Sequence, residues 1–128
     1  MKPKTKTHKF ILALQGIITA IKTQPHFKFH LMITPVVVIM GFACQISQIE
    51  WVMLTLTIFG VYITEMINTS IETTINLVTT DSHPLAKLGK DIAAGAVLLS
   101  AIMSLIIGYL IFKPRLVTLC EKGWYLFG

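Results

Sequence analysis

Six acidic side chains are all that this 128-residue chain carries, and their placement narrows what chemistry it could do. Glu65, Asn68, Glu72 and Asn76 are spaced by three, four and four residues. At about 100° per residue they fall near 0°, 300°, 340° and 20°, one narrow stripe of a helix. Lys90 and Asp91 stand together at the entry to the next apolar run. Carboxylates bind Mg²⁺ through oxygen, and a lysine supports phosphate oxygens. A remaining carboxylate can take a proton from an attacking hydroxyl. Together these are parts for phosphoryl transfer, in which positioning and charge neutralisation supply most of the catalysis. A plainer account fits the same residues: polar groups at the end of a membrane helix mark where it emerges into water. Lys90 could equally snorkel, and His83 could be an ordinary loop histidine.

The elements that hold these residues are dictated by composition. Apolar residues make up 54% of the chain and charged ones 13%, against about 25% charged in a soluble domain. With a mean hydropathy of +0.73, the chain reads as an all-α integral membrane protein of one domain, residues 1–128. Near hydrocarbon an ionised carboxylate costs roughly 2.5 kcal/mol or more, so Glu65 and Glu72 need a partner or a task. The net charge of +5 and pI of about 9.4 would suggest nucleic acid in a soluble protein. Here the basic residues flank apolar runs, so anionic lipid headgroups are the expected partner and nucleic acid is not.

Phe10, Leu14, Ile17, Ile18 and Ile21 recur on one helical face between flanking lysines, which predicts an amphipathic surface helix over about 8–23. Pro25, Lys28 and His30 then interrupt the pattern. Spans are expected over about 31–46, with Pro35 near its start, and over about 50–78, whose last turns extend past the membrane. A third is expected over 91–112, with no charge from Ile92 to Phe112, enough to cross a ~30 Å hydrocarbon core. The segment 79–90 reads as a loop. The tail 113–128, with Trp124, Tyr125 and Phe127, suits a second interfacial anchor.

Lysine placement sets the expected orientation. Lys2, Lys4, Lys6, Lys9, Lys22, Lys28, Lys87 and Lys90 fall on one side of three spans, against Lys113, Arg115 and Lys122 on the other. That puts the N-terminus and the 79–90 loop in the cytoplasm. Cys44 and Cys120 lie far apart without ligand clusters, so neither a thiolate metal site nor a disulfide is expected. A cleavable signal peptide is not expected either. The chain has no GxxxxGK[ST] and no GxGxxG, which leaves a soluble nucleotide-binding fold without support.

The run Glu65-Met66-Ile67-Asn68-Thr69-Ser70-Ile71-Glu72 resembles the ExxN[TS][AS]IE signature of the prokaryotic diacylglycerol kinase family. His83-Pro84-Leu85-Ala86-Lys87, followed by Lys90 to Leu98, is similar to that family's second signature and leans toward its undecaprenol kinase branch. The likeness covers roughly residues 8–112, including Phe10, Ala13, Gly16, Phe27 and His30. It implies a bacterial inner-membrane homotrimer, each subunit with a surface helix and three transmembrane helices. Such proteins use Mg·ATP to phosphorylate a lipid hydroxyl, undecaprenol or diacylglycerol, in sites shared between subunits. By this likeness Glu65 is the general base, with Asn68 the amide beside it, and Glu72 is a metal-binding carboxylate. Lys90 and Asp91 contact the nucleotide, and Asp81, Ser82 and His83 form a loop that touches it.

The sequence departs from the family pattern at two positions. Gln24 stands where a metal-binding glutamate is usual, and Asn76 stands where the stripe usually ends in aspartate. An amide oxygen still ligates Mg²⁺ but brings no charge, so a weaker metal site is implied. The alternatives are a non-catalytic membrane binding or assembly subunit, which those two residues favour, and a small transporter using Glu65 and Glu72 as a relay. The transporter would need polar residues deep in more than one span, whereas the third holds only small hydroxyls.

Overall fold

The structure, a computed structural model, describes the backbone of residues 6–127 and the side chains of residues 8–118. Lys2, Lys4 and the side chains of Lys6, Cys120, Lys122, Trp124, Tyr125 and Phe127 therefore lie outside the described residues. Four helices follow one another: α1 (Lys6–Thr23), α2 (Pro25–Ala43), α3 (Gln48–Val78) and α4 (Pro84–Phe127). The last three are long and apolar enough to cross a membrane. Only 11, 22 and 17% of their apolar windows are buried within the chain. The rest of those faces must meet lipid or other chains, since water would not tolerate apolar patches of that extent.

Three boundaries differ from the sequence reading, each for a local reason. The interruption expected from Thr23 to His30 shrinks to Gln24, because Pro25 opens α2 at a position whose missing N–H has no partner anyway. Pro35 consequently falls inside α2 and not in its first turn. The loop expected over 79–90 ends at His83, since Pro84 likewise starts α4 and Lys87 and Lys90 become helical. Beyond Phe112 the chain continues as helix through Pro114 to Phe127, where a separate tail was expected.

The short α2–α3 connection is determined by capping. Ile46 N–H bonds to Gly41 O (3.2 Å) and Gln45 N–H to Phe42 O (3.1 Å), with Gln45 at φ 49°. This is the Schellman pattern, completed by burial of Ile46. Ser47 and Glu50 then form a reciprocal capping box that opens α3. Arg115 of α4 grips the same Glu50 through both carboxylate oxygens (2.8 and 2.6 Å) and reaches Cys44 O (3.1 Å). At this end Leu54, Ile111 and Phe112 pack with Ile46 into the core. Gly41 is required there: a Cβ at this position would lie 2.7 Å from the Trp51 ring. Gly41→Ala should therefore lower stability by about 1–3 kcal/mol, although alanine is the better helix former. Thermal unfolding in detergent measures this, and an unchanged midpoint would show that Trp51 swings aside freely.

α3 and α4 form the principal pair, α2 packs on α3, and α1 touches both α2 and α3. Hydroxyls stitch the spans together where apolar packing alone would leave them free to slide. Thr64 and Ser100 share a hydrogen bond of 2.9 Å between α3 and α4. Thr34 and Tyr62 share another between α2 and α3.

Candidate active site

The stripe carrying the candidate residues continues the buried face of α3. Leu54, Thr57, Val61 and Glu65 are its buried residues, spaced by three, four and four. The same phase runs on through Asn68, Glu72 and Asn76. This face is buried from Leu54 to Glu65, half-buried at Asn68 and Glu72, and exposed by Asn76. At about 1.5 Å per residue, 31 residues make α3 about 46 Å long, well beyond a ~30 Å hydrocarbon core. Its final turns can therefore stand in water while Glu65 stays at the rim.

Glu65 is 4% exposed. Among the described residues, the buried side-chain oxygens lacking a hydrogen-bond partner are Glu65 Oε1 and Asn68 Oδ1, three residues apart on this stripe. Every other buried side-chain polar group is satisfied: Thr57 donates to Met53 O, and Ser100 bonds Thr64 and Val97 O. Buried unpaired acceptors are costly, and the two lie together on one stripe of α3. Asn68 Nδ2 donates to Glu72 Oε1 at 3.0 Å, which fixes the amide with its oxygen outward from that bond. His30 of α2 brings Nε2 to 3.8 Å from Glu65 Oε1.

The lysine expected opposite the stripe is there: Lys90 Nζ donates to Asn76 Oδ1 at 2.7 Å, joining the first turns of α4 to the last turn of α3. Asp91 points elsewhere, to Lys87 at 2.8 Å, with both side chains largely exposed. Asp81, Ser82, His83, Lys87, Lys90 and Asp91 line one open cavity of about 330 Å³ with Thr80 and Ala86. His83 uses Nδ1 to accept Leu85 N–H at 3.2 Å, so it also caps the start of α4. Gln24 caps α2 through its backbone and makes no side-chain cap bond; no hydrogen bond among the described residues joins it to Glu72.

Among the described residues no three His, Cys, Asp or Glu side chains gather into a metal cage. Magnesium does not require such a cage, since it keeps several waters and takes one or two carboxylates plus phosphate oxygens. Glu72, with the unpartnered Asn68 Oδ1 beside it, fits this requirement.

Sequence reasoning did not foresee that His30 faces Glu65, since 35 residues separate them and nothing local links them. It also missed the Glu50–Arg115 clamp. Half of that clamp was readable, because Ser47-x-x-Glu50 is a capping-box pattern.

Residues 11–112 match the family described as prokaryotic diacylglycerol kinase. The undecaprenol kinase of Bacillus subtilis (strain 168) is 46% identical over 107 residues, which is 84% of this chain and 87% of that protein. A diacylglycerol kinase of Synechocystis is 37% identical over 111 residues, 86% of this chain but 63% of that longer protein. These matches take in both motifs and the helices that carry them, in keeping with three apolar helices of a membrane protein. The chain belongs to the prokaryotic diacylglycerol kinase family, and it is a lipid kinase.

Proposed function

We propose that this kinase transfers the γ-phosphate of ATP to the hydroxyl of a lipid alcohol, undecaprenol or diacylglycerol, at the cytoplasmic face of the bacterial inner (plasma) membrane. The observation that carries this reading is the buried Glu65 with an unpartnered oxygen, on a stripe whose far end, Asn76, bonds the Lys90 that lines a polar cavity. A lipid anchored in the bilayer reaches the first, and a nucleotide from water reaches the second. The lipid O–H proton passes to the Glu65 carboxylate as the oxygen attacks the γ-phosphorus. The bond from that phosphorus to the bridging oxygen breaks, and ADP leaves. Lys90 supplies positive charge to the phosphate oxygens, while Asp81, Ser82, His83 and Asp91 border the nucleotide's entry. Glu72 and Asn68 would hold Mg²⁺, which when bound offsets phosphate charge.

α1 is taken as the amphipathic surface helix, with the N-terminus cytoplasmic. The sparsely buried faces of α2, α3 and α4 support assembly with further copies, and we take the unit to be a homotrimer. Labelled ATP presented with each lipid in bilayers tests the reading. Phosphorylation of at least one is expected, and of neither would overturn it. A weakened, non-catalytic subunit is the second reading, favoured by Gln24 and Asn76; it binds ATP analogues without turnover.

Gln24 bears on the metal through helix register. α2 and α3 run antiparallel, with His30 opposite Glu65 and Thr34 opposite Tyr62. Six residues back from His30 and seven on from Glu65 are about 9 and 10 Å along the axes, so Gln24 and Glu72 reach the same level. Gln24→Glu adds a charge there and should reduce the Mg²⁺ needed for half-maximal rate by roughly 3- to 10-fold. A Mg²⁺ titration of both forms measures this, and superimposable curves would remove position 24 from the metal site.

A further inference from the structure

His30 is the group facing Glu65 that the chemistry above leaves without a task. Its Nε2 stands 3.8 Å from Glu65 Oε1, the very oxygen that lacks a hydrogen bond. Its side chain is 24% exposed against 5% for Glu65. The turn of α2 that carries it is braced from two sides. Thr34 Oγ1 donates to His30 O at 2.8 Å and Tyr62 OH to the same carbonyl at 3.3 Å. The Tyr62 ring packs on Phe27 with centroids 5.0 Å apart, and Phe29 lies edge-on to the imidazole at 5.6 Å. An approach of roughly 1 Å would convert the 3.8 Å contact into an N–H···O bond, and catalytic hydrogen bonds are often that long before substrate binds.

Resting on the phosphotransfer reading, we propose that His30 is a positioning residue for Glu65. A neutral imidazole with its proton on Nε2 holds Oε1 and leaves Oε2 turned to the lipid hydroxyl. The lipid O–H bond breaks and its proton goes to Oε2 as the new O–P bond forms; the γ-phosphorus parts from ADP, and His30 keeps its own proton throughout. A histidine suits this place better than a lysine or arginine. A permanent cation would make the carboxylate a much weaker base, whereas a neutral donor fixes its orientation at a smaller loss of basicity.

The test compares kcat and KM in bilayers for variants at both positions. His30→Leu should lower kcat by roughly 10- to 100-fold, the scale of loss when a reacting group is misplaced, with both KM values within about twofold. His30→Gln, whose amide N–H reaches a similar place, should recover at least about threefold over leucine, and the shorter His30→Asn should not. In a Glu65→Asp background His30→Leu should cost less than about twofold, because a residue acting through Glu65 loses its effect when Glu65 is altered. A wild-type kcat in His30→Leu, or an undiminished loss in the Glu65→Asp background, would overturn the proposal. Should the leucine form not fold in detergent, the glutamine and asparagine forms decide, and equal rates in those two also overturn it. A wild type that phosphorylates neither lipid ends the phosphotransfer reading itself, and a fully active Glu65→Gln ends the part of Glu65 as its base. An inactive Glu65→Gln beside an active His30→Leu sinks only the role of His30.

Discussion

Glu65→Gln is expected to lower kcat by about 10²- to 10⁴-fold, the range that a positioned general base contributes. The change is isosteric, so the stripe of α3 and its packing on α2 stay in place and only proton acceptance is lost. KM for ATP should hardly move, because the cavity proposed for the nucleotide is lined by residues from Thr80 to Asp91 and not by Glu65. Stability should move in the opposite direction to activity. A carboxylate that is 4% exposed with one unpartnered oxygen is costly to bury, and a neutral amide costs less. The variant should therefore unfold at the same temperature as the wild type or a higher one, as expected where a site is kept at the expense of stability. Phosphate transfer from labelled ATP and thermal unfolding in the same detergent measure both halves. If Glu65→Gln keeps more than about half of the wild-type rate, proton acceptance belongs to another group.

Helix geometry decides how much of the site could be read from sequence. The stripe from Glu65 to Asn76 was legible because a helix repeats every 3.6 residues, and four polar residues at three- and four-residue steps can only share a face. The meeting of Asn76 with Lys90 was legible too, because a short connection makes α3 and α4 antiparallel neighbours. Contacts that depend on how separate helices rotate against each other were not. His30 falls in the sequence within the interruption around Pro25 and Lys28, before the first expected span, and nothing there singles out Glu65. Asp91 shows the same limit from the other side. Its neighbour Lys90 turns toward α3, but one residue is about 100° of helix, so Asp91 faces Lys87 one turn back. Helix ends were misread where proline was taken as an interruption, although Pro25 and Pro84 are starts.

Lys90→Met should reduce kcat/KM for ATP by about 10²- to 10³-fold, the loss typical when one aimed donor is taken from a charge-developing group. Methionine keeps the length and apolar stem of lysine and removes the charge. Lys90 also ties α4 to α3 through Asn76 Oδ1 at 2.7 Å, so loss of rate alone would not separate a phosphate contact from a structural tie. Asn76→Leu separates them. It removes the same bond from the other helix and leaves the ammonium free, so it should cost less than about tenfold if charge on phosphate is what matters. An ammonium has three donors, and the bond to Asn76 uses one, which orients the group while leaving two for phosphate oxygens. If Asn76→Leu falls as far as Lys90→Met, the tie between the helices carries the effect. A strong fall in Lys90→Met beside a mild one in Asn76→Leu would show that the ammonium's charge, and not its bond to Asn76, carries the effect.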